Sequence, residues 1–338
     1  MQRAVTMKDV AQQAGVSVMT VSRAFKQHAS VGEETRKRIL KIAEDLGYVF
    51  DSNAATFRSQ RTGFVAVAIP SINNANFADT VGAMSEVLKA ADLQVLLGYS
   101  NYDIQEEEVI VEQFLRRRPE AIVLTGGRHT ERTRRLLDRA NIPVIETWDL
   151  PEDPIGHVVG FSNAATMHDL VGHLVASGRE RIAFIGGDTD GDTRGADRRR
   201  GFIRAMEDRS LAADRLIGAG DPPISMREGA DAMSLLLKKH PDTQAVICVS
   251  DLSAFGALTE CARKGVRVPE DVAVAGFGAY DISSICVPTL TTVNPHPEEI
   301  GRRTGELIRT LLRGEGGGDG APVQIGIDPQ LSIGESSA

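Results

Sequence analysis

The sequence lacks the features that mark several common protein classes. None of its 338 residues belongs to an apolar run of about 18 residues, so no transmembrane helix is expected. The N-terminal stretch MQRAVTMKDVAQQAG has no apolar signal core, and the three cysteines show no metal-ligand spacing. We therefore expect a cytoplasmic chain with reduced cysteines in its core and with neither a metal nor a cofactor.

Sequence motifs of catalysis are also scarce. The stretch FIGGDTDGD is rich in glycine and follows a predicted strand, but it lacks the GxGxxG order of a dinucleotide site. No paired carboxylates and no arrangement of cysteine with histidine stand out along the chain. These absences predict a protein that is not an enzyme, although a sugar-acid dehydrogenase is kept as an alternative.

Charge is distributed unevenly along the chain. The net charge is −8, yet residues 1–62 hold ten Lys/Arg against six Asp/Glu, and the remaining residues hold 28 against 40. A basic N-terminal segment on an acidic body is typical of a small DNA-binding module attached to a domain with another task. A chain of this length, with 42% hydrophobic residues, is sufficient for two or three domains.

The segment VAQQAGVSVMTVSRAF, residues 10–25, predicts two short helices that meet at a tight turn. Thr6 is a candidate N-cap for the first helix, and Gly15 can adopt the positive φ that ends it. Ser17 can then cap the second helix, and a third helix is predicted over residues 33–46. A helix-turn-helix of this kind places its second helix in the major groove of DNA, whereas an ordinary helical hairpin is the alternative.

These segments resemble the lactose-repressor (LacI/GalR) family of bacterial transcription regulators. The segment MKDVAQQAGVSVMTVSRAF resembles the N-terminal signature of that family, and RKRILKIAEDLGYV resembles its third helix. The likeness continues over nearly the whole chain, through RTGFVAVAIPSINNANFA, HLVASGRERIAFIGG, VPEDVAVAGFGAYDIS and LTTVNPHPEEIGRRTGELI. The resemblance implies a sequence-specific DNA-binding regulator, most often a repressor of sugar or sugar-acid catabolism genes.

Side chains on the outer face of the second helix are the candidates for DNA contact. Arg23 can donate two hydrogen bonds to guanine, and Val18 and Met19 can touch thymine methyl groups. Neighbouring hydroxyls and lysines are expected to bind phosphates, which adds affinity without sequence discrimination. The predicted DNA-binding residues of the head are Thr6, Lys8, Ser17, Val18, Met19, Thr20, Ser22 and Arg23.

Residues 50–62 are polar and rich in small side chains, which is typical of a linker. The family resemblance implies instead a hinge helix that folds when two copies meet on DNA, with Ala54, Phe57 and Arg58 at the duplex. Phe57 stands where relatives usually have a leucine that wedges into the minor groove. The predicted domains are a helix-turn-helix domain at 1–49, the hinge at 50–62 and an effector-binding and dimerisation domain at 63–338.

From Phe64 onward, short apolar runs alternate with segments of helical spacing. Such alternation predicts parallel sheets covered by helices on both faces, in two lobes. With the family resemblance, the expected fold class is a small all-α helix-turn-helix head plus an α/β two-lobed periplasmic-binding-protein-like body. A transport binding protein shares such a body and is kept as a further alternative.

Polar side chains cluster directly after the predicted strands. Ligands of open α/β sheets bind beyond the carboxyl ends of the strands, so these positions predict a small-molecule site between the lobes. The family resemblance implies that Arg198 binds the effector. The predicted effector-binding residues are Asn76, Phe77, Thr125, Arg128, Glu146, Trp148, Arg198, Ser250 and Asp251.

One departure from the relatives that bind neutral sugars concerns the charge of the ligand. Those relatives usually carry an acid where this chain has Gly278. The loss of that acid, together with Arg198 and the loop pair Arg128 and His129, favours an anionic ligand, unless the loop pair is merely exposed. Stretches such as LTGGRHTERT also resemble the gluconate-utilisation repressor branch, which implies gluconate or a related aldonic acid as the effector.

The resemblance also implies how DNA and ligand are coupled. A homodimer presents two recognition helices to a palindromic operator, and no heptad run follows the body, so a dimer is expected rather than a coiled-coil tetramer. Effector binding reorients the lobes and thereby changes DNA affinity. Relatives use the effector as an inducer or as a corepressor, and the sequence leaves both open.

Overall fold

The computed structural model describes residues 5–25, 31–49, 62–189, 191–315 and 321–338. The chain separates into two compact units, Met1–Thr62 and Gly63–Ala338. Within the described ranges, no helix combines the length and the apolar character needed to cross a bilayer.

Three helices make up the described part of the first unit. They are α1 (Met7–Ala14), α2 (Val18–Ala24) and α3 (Glu33–Asp45). Their shared core consists of small and medium side chains, which lets such short helices approach closely. The buried members of this core are Val10, Ala11, Ala14, Val21, Ala24, Ile39 and Ala43.

The turn between α1 and α2 depends on two residues that the sequence singled out. Gly15 ends α1 with a φ of +63°, a conformation that glycine adopts without strain. Ser17 then begins α2, because its hydroxyl accepts the backbone N–H of Thr20 at 3.1 Å. The predicted helix-turn-helix is therefore confirmed. Two arginines add support that the sequence did not indicate, since Arg36 and Arg38 of α3 donate to the terminal carbonyls of α2 and α1.

Two six-stranded sheets form the second unit, and we call the halves built on them the first and the second lobe. The first sheet contains β1 (Phe64–Ile69), β2 (Gln94–Tyr99), β3 (Ala121–Thr125), β4 (Val144–Thr147), β5 (His157–Gly160) and β11 (Gln324–Gly326). The second contains β6 (Ile182–Ile185), β7 (Leu216–Ile217), β8 (Ala245–Cys248), β9 (Ala273–Phe277), β10 (Thr291–Asn294) and β12 (Gln330–Ser332). Their strand orders are β11-β5-β4-β3-β1-β2 and β12-β10-β9-β8-β6-β7.

Helices connect most of these strands. They are α4 (Ala75–Lys89), α5 (Ile104–Arg116), α6 (Glu131–Asp138), α7 (Thr166–Ala176), α8 (Thr193–Glu207), α9 (Met226–Lys239), α10 (Asp251–Lys264), α11 (Asp281–Ile285) and α12 (Pro297–Leu312). The central strands β3, β6 and β8 are buried along their whole length, which explains their continuous apolar sequences.

The pairing of strands is parallel, as predicted, with one exception among the described residues. β12 runs antiparallel to β10, with Val293 opposite Leu331. The chain enters the second lobe after β5, returns for β11 and crosses once more for β12. Because the carboxyl ends of the two sheets face each other, a strand that crosses directly from β11 enters the second sheet from its carboxyl edge and therefore runs backwards.

Candidate functional site

The outer face of α2 is the candidate surface for DNA. Its inner residues Val21 and Ala24 are fully buried, which leaves the other side of the helix to solvent. Among the predicted contact residues, Lys8, Ser17, Val18, Met19 and Arg23 are exposed, and Thr6, Thr20 and Ser22 are half-buried. The predicted hinge contacts Ala54, Phe57 and Arg58 lie outside the described residues.

Thr6, one of the predicted phosphate contacts, makes local hydrogen bonds at the start of α1. Its hydroxyl donates to the carboxylate of Asp9 at 2.6 Å, and its backbone N–H donates to the same oxygen at 2.7 Å. The only proton of the hydroxyl is thus engaged, and in this arrangement it is not free to donate to a phosphate oxygen. Thr6 acts as a cap that begins α1.

A cavity of about 250 Å³ lies between the carboxyl ends of the two sheets. The first lobe lines it with loop residues that follow β1, β2 and β4, and the second lobe with residues that follow β6, β7, β8 and β9. Its lining includes Asn74, Asn76, Phe77, Tyr102, Trp148, Asp192, Arg194, Arg198, Pro223, Ser225, Ser250, Phe277 and Tyr280. Because residues of both lobes line it, the cavity lies in the crevice that the sequence predicted between them.

Five of the nine predicted effector residues line this cavity, namely Asn76, Phe77, Trp148, Arg198 and Ser250. The other four do not belong to its described lining. Arg128 is exposed on the loop after β3. Thr125 is buried, and its hydroxyl donates to the carbonyl oxygen of Ala68 at 3.1 Å. Arg128 therefore lies in solvent, and Thr125 forms a hydrogen bond between β3 and β1.

Glu146 is buried away from the cavity because it belongs to an ionic cluster. The His129 side chain is fully buried, with Nδ1 2.6 Å from Oε1 of Glu107 and Nε2 3.4 Å from Oε1 of Glu146. Burial alone lowers the pKa of His129, but both carboxylates favour the imidazolium and raise its pKa to about 9. The prediction that His129 serves a ligand is therefore replaced by a structural role, and we call these three residues the histidine cluster.

Asp251 also lies behind the cavity wall. Its carboxylate accepts hydrogen bonds from the Thr292 hydroxyl at 2.6 Å and from the backbone N–H of Tyr280 at 2.9 Å. Burial raises the pKa of Asp251 to about 6. Asp251 thus positions Tyr280, whose hydroxyl donates across the cavity to Oδ1 of Asn74 at 3.0 Å.

Arg194 lines the cavity although the sequence did not single it out. It lies one helical turn before Arg198 on α8. Residues four apart share a face of a helix, so this spacing could have indicated that Arg194 lies beside Arg198. Its guanidinium lies over the ring of Phe77, 5.5 Å from the centroid, and Nη1 donates to the carbonyl oxygen of Thr125 at 3.3 Å. This bond joins the second lobe to the first.

Arg198 is held in a similar way. Its guanidinium lies 4.2 Å from the centroid of the Phe277 ring, and Nη1 donates to Oδ1 of Asn163 at 2.7 Å. Its Nε is buried and has no hydrogen-bond partner among the described residues. Burial lowers the pKa of Arg198, as expected for a cation that has been removed from water.

In the part of the chain that the structure describes, four helices of eight or more residues begin at this cavity. Asn74, Asp192, Ser225 and Ser250 are the N-caps of α4, α8, α9 and α10, and each side chain accepts a backbone N–H of its own first turn. The positive ends of four helix dipoles therefore point towards the same space.

Gly278 lies where a side chain would meet Tyr280 and Asn76. Its φ is +130°, and a Cβ at this position would lie 2.8 Å from the Tyr280 ring and 3.0 Å from Nδ2 of Asn76. The tyrosine ring occupies the space that a side chain at 278 would need. No carboxylate belongs to this part of the described lining.

Two family models match the chain. Residues 6–51 match bacterial regulatory proteins of the lacI family, and residues 171–337 match a periplasmic binding protein-like domain. The first match includes the helix-turn-helix, and the second includes Arg198 and most of the second lobe.

Several proteins are similar over most of their length. The HTH-type transcriptional regulator GntR of Pseudomonas aeruginosa is 36% identical over 92% of this chain and 90% of that protein. The crystal structure of a LacI family transcriptional regulator from Silicibacter pomeroyi has 45% identity and a TM-score of 0.76, covering 81% of this chain and 98% of that one. The transcription regulator GntR from Chromobacterium violaceum has 33% identity and a TM-score of 0.73, covering 81% and 99%.

These relatives are transcriptional regulators, and the first of them matches both compact units of this chain. The match removes the dehydrogenase and transport alternatives, because neither explains the paired helix-turn-helix and two-lobed body. The chain therefore belongs to the lacI family of bacterial regulatory proteins, and it is a DNA-binding transcriptional regulator rather than an enzyme.

Proposed function

We propose that this protein binds a palindromic operator as a homodimer and represses transcription until a sugar acid, gluconate or a related aldonic acid, enters the cavity. The observation that carries the effector class is the pair of guanidiniums of Arg194 and Arg198. Both are more than nine-tenths buried, and neither has a carboxylate within 4.0 Å among the described residues. A buried charge without a partner is costly, and a bound carboxylate offsets that cost.

Further features of the cavity suit a hydroxylated acid. The four helix N-termini favour negative charge, while Asn76, Ser250 and Tyr102 offer amide and hydroxyl groups to a polyol chain. The indole N–H of Trp148 is buried without a partner among the described residues, so a ligand oxygen can satisfy it. Phe77 and Phe277 hold the two guanidiniums from behind, which leaves the edges of these groups to the ligand.

Among the described residues, the hydrogen bonds from Tyr280 to Asn74 and from Arg194 to Thr125 join the lobes across the cavity. A ligand that contacts these side chains changes the bonds by which the lobes hold each other. This supports the proposal that occupancy of the cavity shifts the arrangement of the lobes and thereby DNA affinity.

Apolar side chains on both lobes support a homodimer. Leu97 and Tyr99 are exposed on β2, which is the edge strand of the first sheet. Ile285 and Val287 are exposed on the second lobe, at 76% and 93%. Exposed apolar groups on a sheet edge favour association, and a second copy with twofold symmetry covers each patch with its counterpart.

Calorimetric titration tests the effector class. We expect gluconate or a ketogluconate to bind, glucose to bind far more weakly, and the bound acid to lower affinity for an operator selected from random duplexes by at least about tenfold. Tight binding of glucose without binding of any acid would reject the proposal, and a rise in DNA affinity would show that the acid is a corepressor. A chain that begins at Gly63 is the control, because it should bind the acid but not the operator.

Arg23 and Lys8 test how α2 reads DNA. We expect Arg23→Ala to weaken operator binding by about 1–3 kcal/mol and to relax the preference at one base pair, since arginine can bind guanine through two hydrogen bonds. Lys8→Ala should instead weaken binding to all sequences alike and reduce the slope of log affinity against log salt by about 1. Fluorescence anisotropy at several salt concentrations measures both. An equal loss on specific and random DNA for Arg23→Ala would contradict its role in base recognition.

A further inference from the structure

We infer that the cavity selects ligands that carry a single negative charge, and that Asp192 and Arg194, two residues apart at the start of α8, set this limit. The inference rests on the proposed binding of a sugar acid, and it adds that the acid carries one negative charge. A six-carbon chain with one carboxylate is favoured, whereas its neutral and dicarboxylate counterparts are disfavoured.

The charges of the lining lead to this inference. Its described residues contain three charged side chains, Asp192, Arg194 and Arg198, and each is at least nine-tenths buried. Two cations and one anion leave one positive charge in excess. One carboxylate neutralises that excess, a neutral polyol leaves it unpaired, and a second carboxylate adds a buried anion that no remaining side-chain cation of the lining compensates.

Asp192 is held so that its charge stays at the cavity. Oδ1 accepts the backbone N–H of Gly195 at 3.0 Å, and the carboxylate folds back over the first turn of α8. A Cβ at position 195 would collide with Oδ2 of Asp192, so this position of the Asp192 carboxylate requires glycine at 195. Neither arginine lies within 4.0 Å of the carboxylate among the described residues, so Asp192 repels a second anionic group instead of being neutralised by an ion pair.

Arg194 is held in a comparable way. A Cβ at position 126 would lie 2.8 Å from Nη1 of Arg194. Gly126, directly after β3, therefore leaves room for the Arg194 guanidinium. The bond to Thr125 uses one of its five N–H donors, and no other hydrogen bond of this side chain occurs within the described part of the protein. Without Arg194 the lining would have no positive charge in excess, and a single carboxylate would lose its advantage over a neutral chain.

The test uses three ligands of the same chain length, glucitol, gluconate and glucarate, which carry no, one and two carboxylates. Calorimetry on the full chain should show gluconate binding at least about tenfold more tightly than either other ligand. Asp192→Asn keeps an oxygen for the N-cap and should raise the affinity for glucarate relative to gluconate by about tenfold or more. Arg194→Gln should weaken gluconate about 10- to 100-fold and bring its affinity close to that of glucitol.

Arg200→Gln is the matched control, because Arg200 belongs to the same helix but is exposed and paired with Asp197. It removes the same charge and should leave all three affinities unchanged, and thermal unfolding checks that every variant is folded. If the unmodified protein binds glucarate as tightly as gluconate, or if Asp192→Asn leaves their ratio unchanged, the inference fails while the proposed function stands. If the protein binds neither gluconate nor a ketogluconate, or only glucitol, the proposed effector class fails and the inference fails with it.

Discussion

Replacing His129 with glutamine is expected to lower the free energy of unfolding of the second unit by about 3–5 kcal/mol. The imidazolium of His129 lies between the carboxylates of Glu107 and Glu146, which are 6% and 0% exposed. Glutamine leaves these two buried carboxylates without the cation that compensates them. Urea denaturation followed by circular dichroism measures the change.

Arg132→Gln is the control for this variant. Arg132 of α6 forms ion pairs with Glu108 and Glu112 of α5, but it does so at the surface. Solvent screens that contact, so the loss of stability should be small. Equal losses for the two variants would show that the histidine cluster contributes no more than a surface ion pair.

The same cluster predicts a dependence of stability on pH. The pKa of His129 is about 9 in the folded chain, against an ordinary value of 6.5. The folded state therefore binds more protons than the unfolded state between these values, and its stabilisation is complete below pH 6.5 and is lost as the pH rises to 9. We expect the free energy of unfolding to fall by about 3 kcal/mol over this window, and His129→Gln to remove most of that slope. Parallel pH profiles for the two proteins would contradict this account.

Gly278→Asp is expected to reduce affinity for the sugar acid by more than about 100-fold. The new carboxylate would enter the space between Asn76 and the Tyr280 ring, and both of these residues line the cavity. Two unit charges about 6 Å apart in a partly buried site repel each other by on the order of 2–3 kcal/mol, and the new anion also cancels the positive excess of the cavity. Calorimetry with gluconate measures the loss.

Gly278→Asn separates charge from bulk. Asparagine has nearly the same size, meets the same tyrosine ring and adopts the same backbone conformation at a similar cost. It should weaken binding less than aspartate by at least about tenfold, because only aspartate repels the ligand carboxylate. If both variants lose the same affinity, crowding against Tyr280 explains the loss and the charge of residue 278 has no effect on ligand choice.

Local features of this chain could be predicted because short-range chemistry decides them. Gly15 and Ser17 determine the turn of the helix-turn-helix through a positive φ and a side-chain cap, and both depend only on residues within one helical turn. The alternation of apolar runs with helical segments likewise predicted two α/β lobes and a site at the carboxyl ends of their strands. Asn76 and Phe77 follow from that rule, because each lies just after a strand, whereas Arg198 was indicated by the family resemblance.

The side-chain partners at the site were decided only by the tertiary structure. Glu146 and His129 have the chemistry of ligand-binding groups, but the fold brings them to each other and to Glu107, which lies 22 residues before His129. Arg194 resembles any charged residue of an amphipathic helix until the approach of the lobes places it over Phe77.

The sequence by itself therefore determined the helix-turn-helix, the two lobes and the region of the cavity, since backbone conformation and hydrophobic periodicity are local. Which charges remain unpaired inside the cavity depends on long-range packing, because a buried ion is compensated by whatever group the fold brings within a few ångströms of it.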